Sequence, residues 1–141
     1  MLLKVVLDTS VIISAFYKPA HQPSFSRVVF DYAARYCEVI ISEEILVELR
    51  DKCTKRLKLN LHQTALLELN LLRYAKKEKI KDCILSKNIG LRDKNDLHIL
   101  ELAVGHHADL ILTWDKDLLI LDKVKKTKIL SPRDFWNSFQ S

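Results

Sequence analysis

The sequence predicts an α/β fold in three layers, a mostly parallel central sheet covered by helices on both faces. Two stretches and one pattern predict it. Residues 3–10, Leu-Lys-Val-Val-Leu-Asp-Thr-Ser, form a short apolar run that stops at Asp8 and two hydroxyl residues. A bounded run of this length reads as a buried strand of a parallel sheet. The same grammar returns at residues 109–115, where Leu110, Ile111 and Leu112 lead through Thr113 and Trp114 to Asp115. Around these stretches, short apolar runs alternate with segments of helical periodicity. Open sheets of this kind bind ligands at the carboxyl ends of their strands, so Asp8 and Asp115 share a ledge if their strands are neighbours.

Each element follows in turn. After the first strand, residues 11–16 are apolar and begin a helical turn, and Lys18-Pro19-Ala20-His21-Gln22-Pro23 punctuates the chain as a loop. Ser24 caps a helix to about Tyr36, with Phe25, Val28, Val29, Tyr32 and Ala33 at helical spacing. Residues 38–41 are the second strand. Ser42 caps the next helix, whose first turn carries Glu43 and Glu44, suited to the positive end of the macrodipole. That helix buries Ile45, Leu46, Leu49 and Cys53, and places Glu44 and Glu48 on one side.

Residues 60–75 read as a long helix with leucines around much of its circumference, which is expected to pack on more than one side. A third strand is predicted around residues 80–84, followed by a loop over 86–95. Asp96 opens a helix to about His106. After the strand at 110–113 come a tight acidic turn with Asp115 and Asp117, a short apolar helix to Leu121 and a last strand near 128–130. Ser131-Pro132 then starts a closing helix, with proline at its first position. No repeat or composition break divides the chain, so residues 1–141 read as one domain.

The bulk composition narrows the function classes. Of 141 residues 48% are hydrophobic and 29% charged, which is globular rather than disordered. The net charge is +5 and is unevenly spread, with basic runs at residues 50–58, 73–81 and 123–128. Such runs are either solvated faces or a nucleic-acid footprint. Cys37, Cys53 and Cys83 are scattered without CxxC spacing, which argues against a disulfide framework or a zinc site and fits a reducing cytosol. The chain shows no signal pattern and no membrane-spanning run, so the expected location is cytoplasmic, without membrane contact. With two glycines in all, a glycine-rich phosphate loop or dinucleotide fingerprint is absent.

Four acidic positions occupy contexts that can converge: Asp8 and Asp115 at strand ends, Glu48 on a helix, Asp96 at a helix start. Each also has an ordinary structural use, as a turn residue, a cap or, for Glu48, an ion pair with Lys52. Two like charges ~4 Å apart repel by ~4 kcal/mol at an effective dielectric of 20. A cluster of four therefore needs a cation to stay ionised. Oxygen donors without Cys or His favour Mg²⁺ or Mn²⁺, ions that activate water and neutralise a phosphodiester.

Asp8-Thr9-Ser10, the helix Ser42-Glu43-Glu44-Ile45-Leu46-Val47-Glu48-Leu49, Arg92-Asp93-Lys94-Asn95-Asp96 before Ile99-Leu100-Glu101-Leu102-Ala103, and Thr113-Trp114-Asp115-Lys116-Asp117-Leu118 together resemble a PIN domain. The branch they resemble most is the VapC-like toxin components of toxin–antitoxin pairs. The resemblance implies an α/β/α sandwich and a ribonuclease that binds one or two Mg²⁺ or Mn²⁺ ions. Position by position, it implies that Asp8, Glu48, Asp96 and Asp115 are catalytic metal carboxylates. Ser10 orients Asp8, and Thr113 supports the pocket wall. Glu44 is the alternative to Glu48, Asp93 supplements Asp96, and Asp117 is a helix cap or a water-mediated ligand. Arg50, Lys52, Arg92, Lys94 and Lys116 are assigned to flanking RNA phosphates. An RNA substrate, a cognate antitoxin and a homodimer through the leucine-rich helix are the implied partners.

Other readings compete. One is a PIN-like module that binds RNA or protein without cutting it. A haloacid-dehalogenase-type phosphatase wants an Asp two residues after Asp8, where this chain has Ser10. A phospho-receiver domain lacks its extra acidic pair. His98, His106 and His107 are assigned to surface or packing, and Trp114 and Trp136 to packing rather than to base stacking.

Overall fold

The computed structural model describes residues 2–17, 24–81 and 96–139. Six strands, β1 (Leu3–Leu7), β2 (Cys37–Ile41), β3 (Ala75–Lys77), β4 (Leu110–Leu112), β5 (Lys123–Val124) and β6 (Thr127–Leu130), make one sheet in the order β3-β2-β1-β4-β6-β5. All neighbours are parallel except β5 and β6, which form an antiparallel hairpin. The helices are α1 (Thr9–Phe16), α2 (Phe25–Tyr36), α3 (Glu43–Lys55), α4 (Leu61–Leu72), α5 (Leu97–Gly105), α6 (Lys116–Leu121) and α7 (Pro132–Phe139). This is the three-layer α/β architecture that the alternation of elements predicts.

β1 lies at the centre because its sequence allows it to be covered twice. Val5, Val6 and Leu7 are fully buried in succession, as a strand with helices on both faces requires. Each such side chain contributes about 1.5–3 kcal/mol relative to exposure. Val5, Val6 and Leu7 are in register with Leu110, Ile111 and Leu112 of β4, so Asp8 and Thr113 leave the sheet side by side. The Asp8 N–H donates to the Leu112 carbonyl at 3.0 Å, extending the ladder to the edge.

The caps read from sequence are present. Ser24 accepts from the Arg27 N–H and Ser42 from the Ile45 N–H; the structure adds a capping box of Asn60 with Gln63. Two elements differ from expectation. The helix read as residues 60–75 ends at Leu72, because Ala75–Lys77 joins the sheet edge beside β2. The third strand of the sheet is therefore Ala75–Lys77; of residues 80–84, where the sequence predicts it, Ile80 and Lys81 lie outside any strand and the rest fall outside the described residues. Lys76 and Lys77 are exposed on this edge and paired with Glu78 and Glu43, and charged side chains of this kind discourage further strand pairing.

Among the described residues, the leucines of α4 do not pack on several sides. Thr64, Leu67 and Leu71 face inward, while Leu61, Leu66, Leu69 and Leu72 are exposed. The loop expected at residues 18–23, the loop at 86–95 and Cys83 lie outside the described residues. Cys37 and Cys53 are buried free thiols. Among the described residues, no helix is long and apolar enough to cross a membrane.

Candidate functional site

Asp8 is the N-cap residue of α1, yet its side chain does not cap the helix. It is buried, with 3% of its surface exposed. Three hydroxyls from two turns surround the carboxylate instead. Ser10 donates to Oδ2 at 2.8 Å, Thr113 donates to the same oxygen at 2.7 Å, and the Thr9 hydroxyl lies 3.3 Å from Oδ1. A hydroxyl has one proton to give and can accept as well. Ser10 and Thr113 use both capacities, since the Ser10 oxygen accepts the Trp114 N–H and the Thr113 oxygen accepts the Asp115 N–H. The turn after β4 is thereby fixed to the turn after β1.

Asp115 caps α6, its Oδ1 accepting the Asp117 N–H at 2.8 Å. The sequence assigns the cap to Asp117, but that residue sits one step inside the helix, where it supplies the donor. Asp117 is half-buried in the first turn, and its charge there suits the helix dipole.

Glu48 reaches the same place from α3. Its Oε1 accepts from Thr9 at 2.6 Å and from Lys52 Nζ at 2.9 Å, and its Oε2 accepts from His98 Nε2 at 3.0 Å. Thr9 therefore touches both carboxylates, and the much shorter distance puts its proton on Glu48. Lys52 stands one turn beyond Glu48 on the same helix, so the ordinary ion-pair reading of Glu48 and its place beside Asp8 hold together. Burial alone pushes the Glu48 carboxyl up, but the hydrogen bonds from His98, Thr9 and Lys52 and the Lys52 charge outweigh it and bring its pKa to about 2. Burial likewise favours neutral His98. The bond to Glu48, with the charges of Glu48, Glu44 and Asp8, reverses this and holds the imidazole above its ordinary value.

His98 is the residue that sequence reasoning assigns elsewhere. It lies two positions after Asp96, in the first turn of α5, and α5 brings it to Glu48. Asp96 is the N-cap residue of α5, is buried at 7% exposure, and makes no side-chain cap bond to that helix. A run of hydrogen bonds ties Asp115, Thr113 and Asp8 together and another ties Thr9, Glu48 and His98, with the Thr9 hydroxyl 3.3 Å from Asp8 as the contact between them.

The remaining sequence candidates are placed as follows. Glu44 is exposed and borders a different hollow of about 590 Å³, lined by Glu43, Lys77, Glu78, Lys79 and Ile80. Arg50 clamps α3 to α4, donating to Glu68 at 3.0 and 2.6 Å and to Glu43 at 3.2 Å. These carboxylates raise its pKa further. Lys52 is held on Glu48, and Lys116 is exposed at the start of α6. Asp93, Arg92 and Lys94 lie outside the described residues. The lysines of the β5–β6 hairpin are at the wrong edge, since Thr127 begins a strand parallel to β4 and the turn before it sits at the amino end of the sheet. Trp114 is partly exposed and donates its indole N–H to Ser26 at 2.8 Å. Trp136 packs against Phe25 and Tyr32.

The donor chemistry around Asp8 is all oxygen, which suits a hard divalent cation. Among the described residues, no group of three or more His, Cys, Asp or Glu side chains is placed to hold a metal ion together. Mg²⁺ does not demand such a group, being commonly held by one or two carboxylates with water and substrate phosphates. The residues therefore fit an open site centred on Asp8.

A sequence-family model described as PIN domain matches residues 4–117. Among solved structures, the crystal structure of VapBC2 from Rickettsia felis bound to a DNA fragment from its promoter superposes with a TM-score of 0.62. The match has 15% sequence identity and covers 90% of this chain and 97% of that one. No curated protein matches the sequence.

Proposed function

We propose, because this chain belongs to the PIN domain family, that it is a divalent-metal-dependent endoribonuclease and the toxin component of a toxin–antitoxin pair. One observation carries the reading: a buried carboxylate, Asp8, at the carboxyl edge of a parallel sheet, oriented by hydroxyls from its own turn and from the neighbouring one. Structural turns do not need a negative charge buried among neutral donors. A cation site does, because the hydroxyls fix the carboxylate without neutralising it.

Asp8, Asp96 and Asp115 are the residues that would hold Mg²⁺ or Mn²⁺, with Glu48 the fourth carboxylate assigned from sequence. When bound, such an ion neutralises phosphate charge and supplies a water-derived nucleophile at neutral pH. Ser10 and Thr113 keep the Asp8 oxygens aimed, and outer hydrogen bonds of this kind are typically worth 10–100-fold in metal affinity or activity. Lys116 is exposed beside Asp115 and is available to an RNA phosphate, with Arg92 and Lys94 assigned the same role from sequence. The affinity for RNA is then expected to fall with salt. The antitoxin partner rests on likeness to the VapBC complex, and the homodimer on the outward leucines of α4.

The competing reading is a PIN-like module that binds without cutting. The pairing of Glu48 with the Lys52 ammonium, and the His98 ring on its other oxygen, favour it, because a ligand so engaged is removed from catalysis. Purified protein with a mixed RNA substrate and Mn²⁺ decides between them. Cleavage that is lost in Asp8→Asn and on chelation supports the nuclease, and RNA binding without cleavage supports the module.

A further inference from the structure

Glu48 and Asp8 differ in what surrounds them, and the difference concerns the number of ions. Both oxygens of Glu48 are engaged, by Thr9 and Lys52 on one side and His98 on the other. The Lys52 ammonium is not a loosely waving surface charge. Its stem is stacked one turn along α3 from Glu48, its side chain is 29% exposed, and Nζ also lies 3.4 Å from the Thr9 hydroxyl. It therefore stands against the hydroxyl that separates the two carboxylates. Asp8 has no ion pair with Lys, Arg or His among the described residues, and its partners there are hydroxyls and backbone.

We propose that Lys52 is a built-in substitute for a second divalent ion, so that the site takes one ion, on the Asp8 side, and Glu48 is not a ligand. An ammonium and a divalent cation cannot share the Glu48 carboxylate without strong like-charge repulsion. With Lys52 in place, the negative charge left for an ion is that of the aspartates. Glu48 then acts as a positioning residue, holding Lys52, Thr9 and His98 in a rigid wall beside Asp8. This inference rests on the metal-dependent reading above and goes beyond it in fixing stoichiometry.

The test is calorimetric titration of the full chain with Mn²⁺, counting as site ions those lost in Asp8→Asn. The wild-type chain is expected to bind one ion. Lys52→Met keeps the aliphatic stem and removes the charge, and is expected to bind two; Lys52→Arg keeps the charge and is expected to bind one. A thermal melt of each variant establishes that it is folded, and Lys52→Gln serves as the neutral variant if Lys52→Met is not. Two ions in the wild-type chain overturn the inference without touching the nuclease reading. One ion in the folded neutral variant overturns it as well. No Asp8-dependent Mn²⁺ at all removes the metal reading and this inference with it.

Discussion

Asp8 and Glu48 are both carboxylates at the carboxyl edge of one sheet, and the Thr9 hydroxyl touches each of them. Around Asp8 the remaining donors are the hydroxyls of Ser10 and Thr113, while around Glu48 they are the Lys52 ammonium and the His98 ring. Neutral donors fix a carboxylate and leave its charge outstanding. A cationic donor such as the Lys52 ammonium fixes it and cancels the charge. Two acids that look equivalent in sequence are thus given different work by their neighbours, one available to a cation and one serving as scaffold.

The largest effect expected from breaking this contrast is at Asp8. Asp8→Asn keeps the shape, removes the charge and is expected to abolish Mn²⁺-dependent RNA cleavage, with the melting temperature unchanged or raised. Next is Thr113→Val, which removes an orienting hydroxyl and is expected to weaken Mn²⁺ binding by about 10–100-fold. Thr9→Val is expected to weaken it less, because the Thr9 proton is on Glu48. Titration calorimetry of the two variants side by side measures the difference.

On the other side of the contrast the effects are on stability. Glu48→Ala strands Lys52 and His98 and is expected to cost about 1–3 kcal/mol in urea unfolding, the range for leaving partly buried polar groups without their acceptor. In metal-free protein, the raised His98 pKa means that its contribution is fully present below pH 6.5 and is lost as pH rises through the folded value. The lowered Glu48 pKa works the other way, its contribution being present above 4.5 and lost as pH falls towards about 2. His98→Gln is expected to flatten the first of these slopes, as urea unfolding across pH 5 to 9 will show. The smallest effect belongs to Arg50→Met, at most about 1 kcal/mol since the clamp to Glu68 is partly exposed and screened by salt. RNA affinity is expected to be unaffected by it, because Arg50 is engaged with α4.

Much of this was readable from the chain because it depended on local chemistry. An apolar run stopping at Asp8 and another leading to Asp115 announce strand ends, and Ser24, Ser42 and Asn60 announce helix starts. Their side chains need no distant partner to do so. β3 was not readable, since Ala-Lys-Lys has no apolar run and becomes a strand only because β2 offers it an edge. The hairpin strand β5, two residues long, is invisible for the same reason. His98 was passed over because its partner comes from a helix 50 residues earlier; its place two residues after Asp96, in the first turn of α5, was the available signal. The exposure of the α4 leucines was also hidden, because the count of apolar residues on a helix does not reveal how many neighbours the fold supplies.

Anomalous diffraction from a crystal soaked in Mn²⁺ bears most directly on the contrast between the two acids. The expected map has an ion with an Asp8 oxygen among its ligands and Lys52 still on Glu48. An ion coordinated by Glu48 with Lys52 swung away, or one that leaves Asp8 uncoordinated, contradicts it.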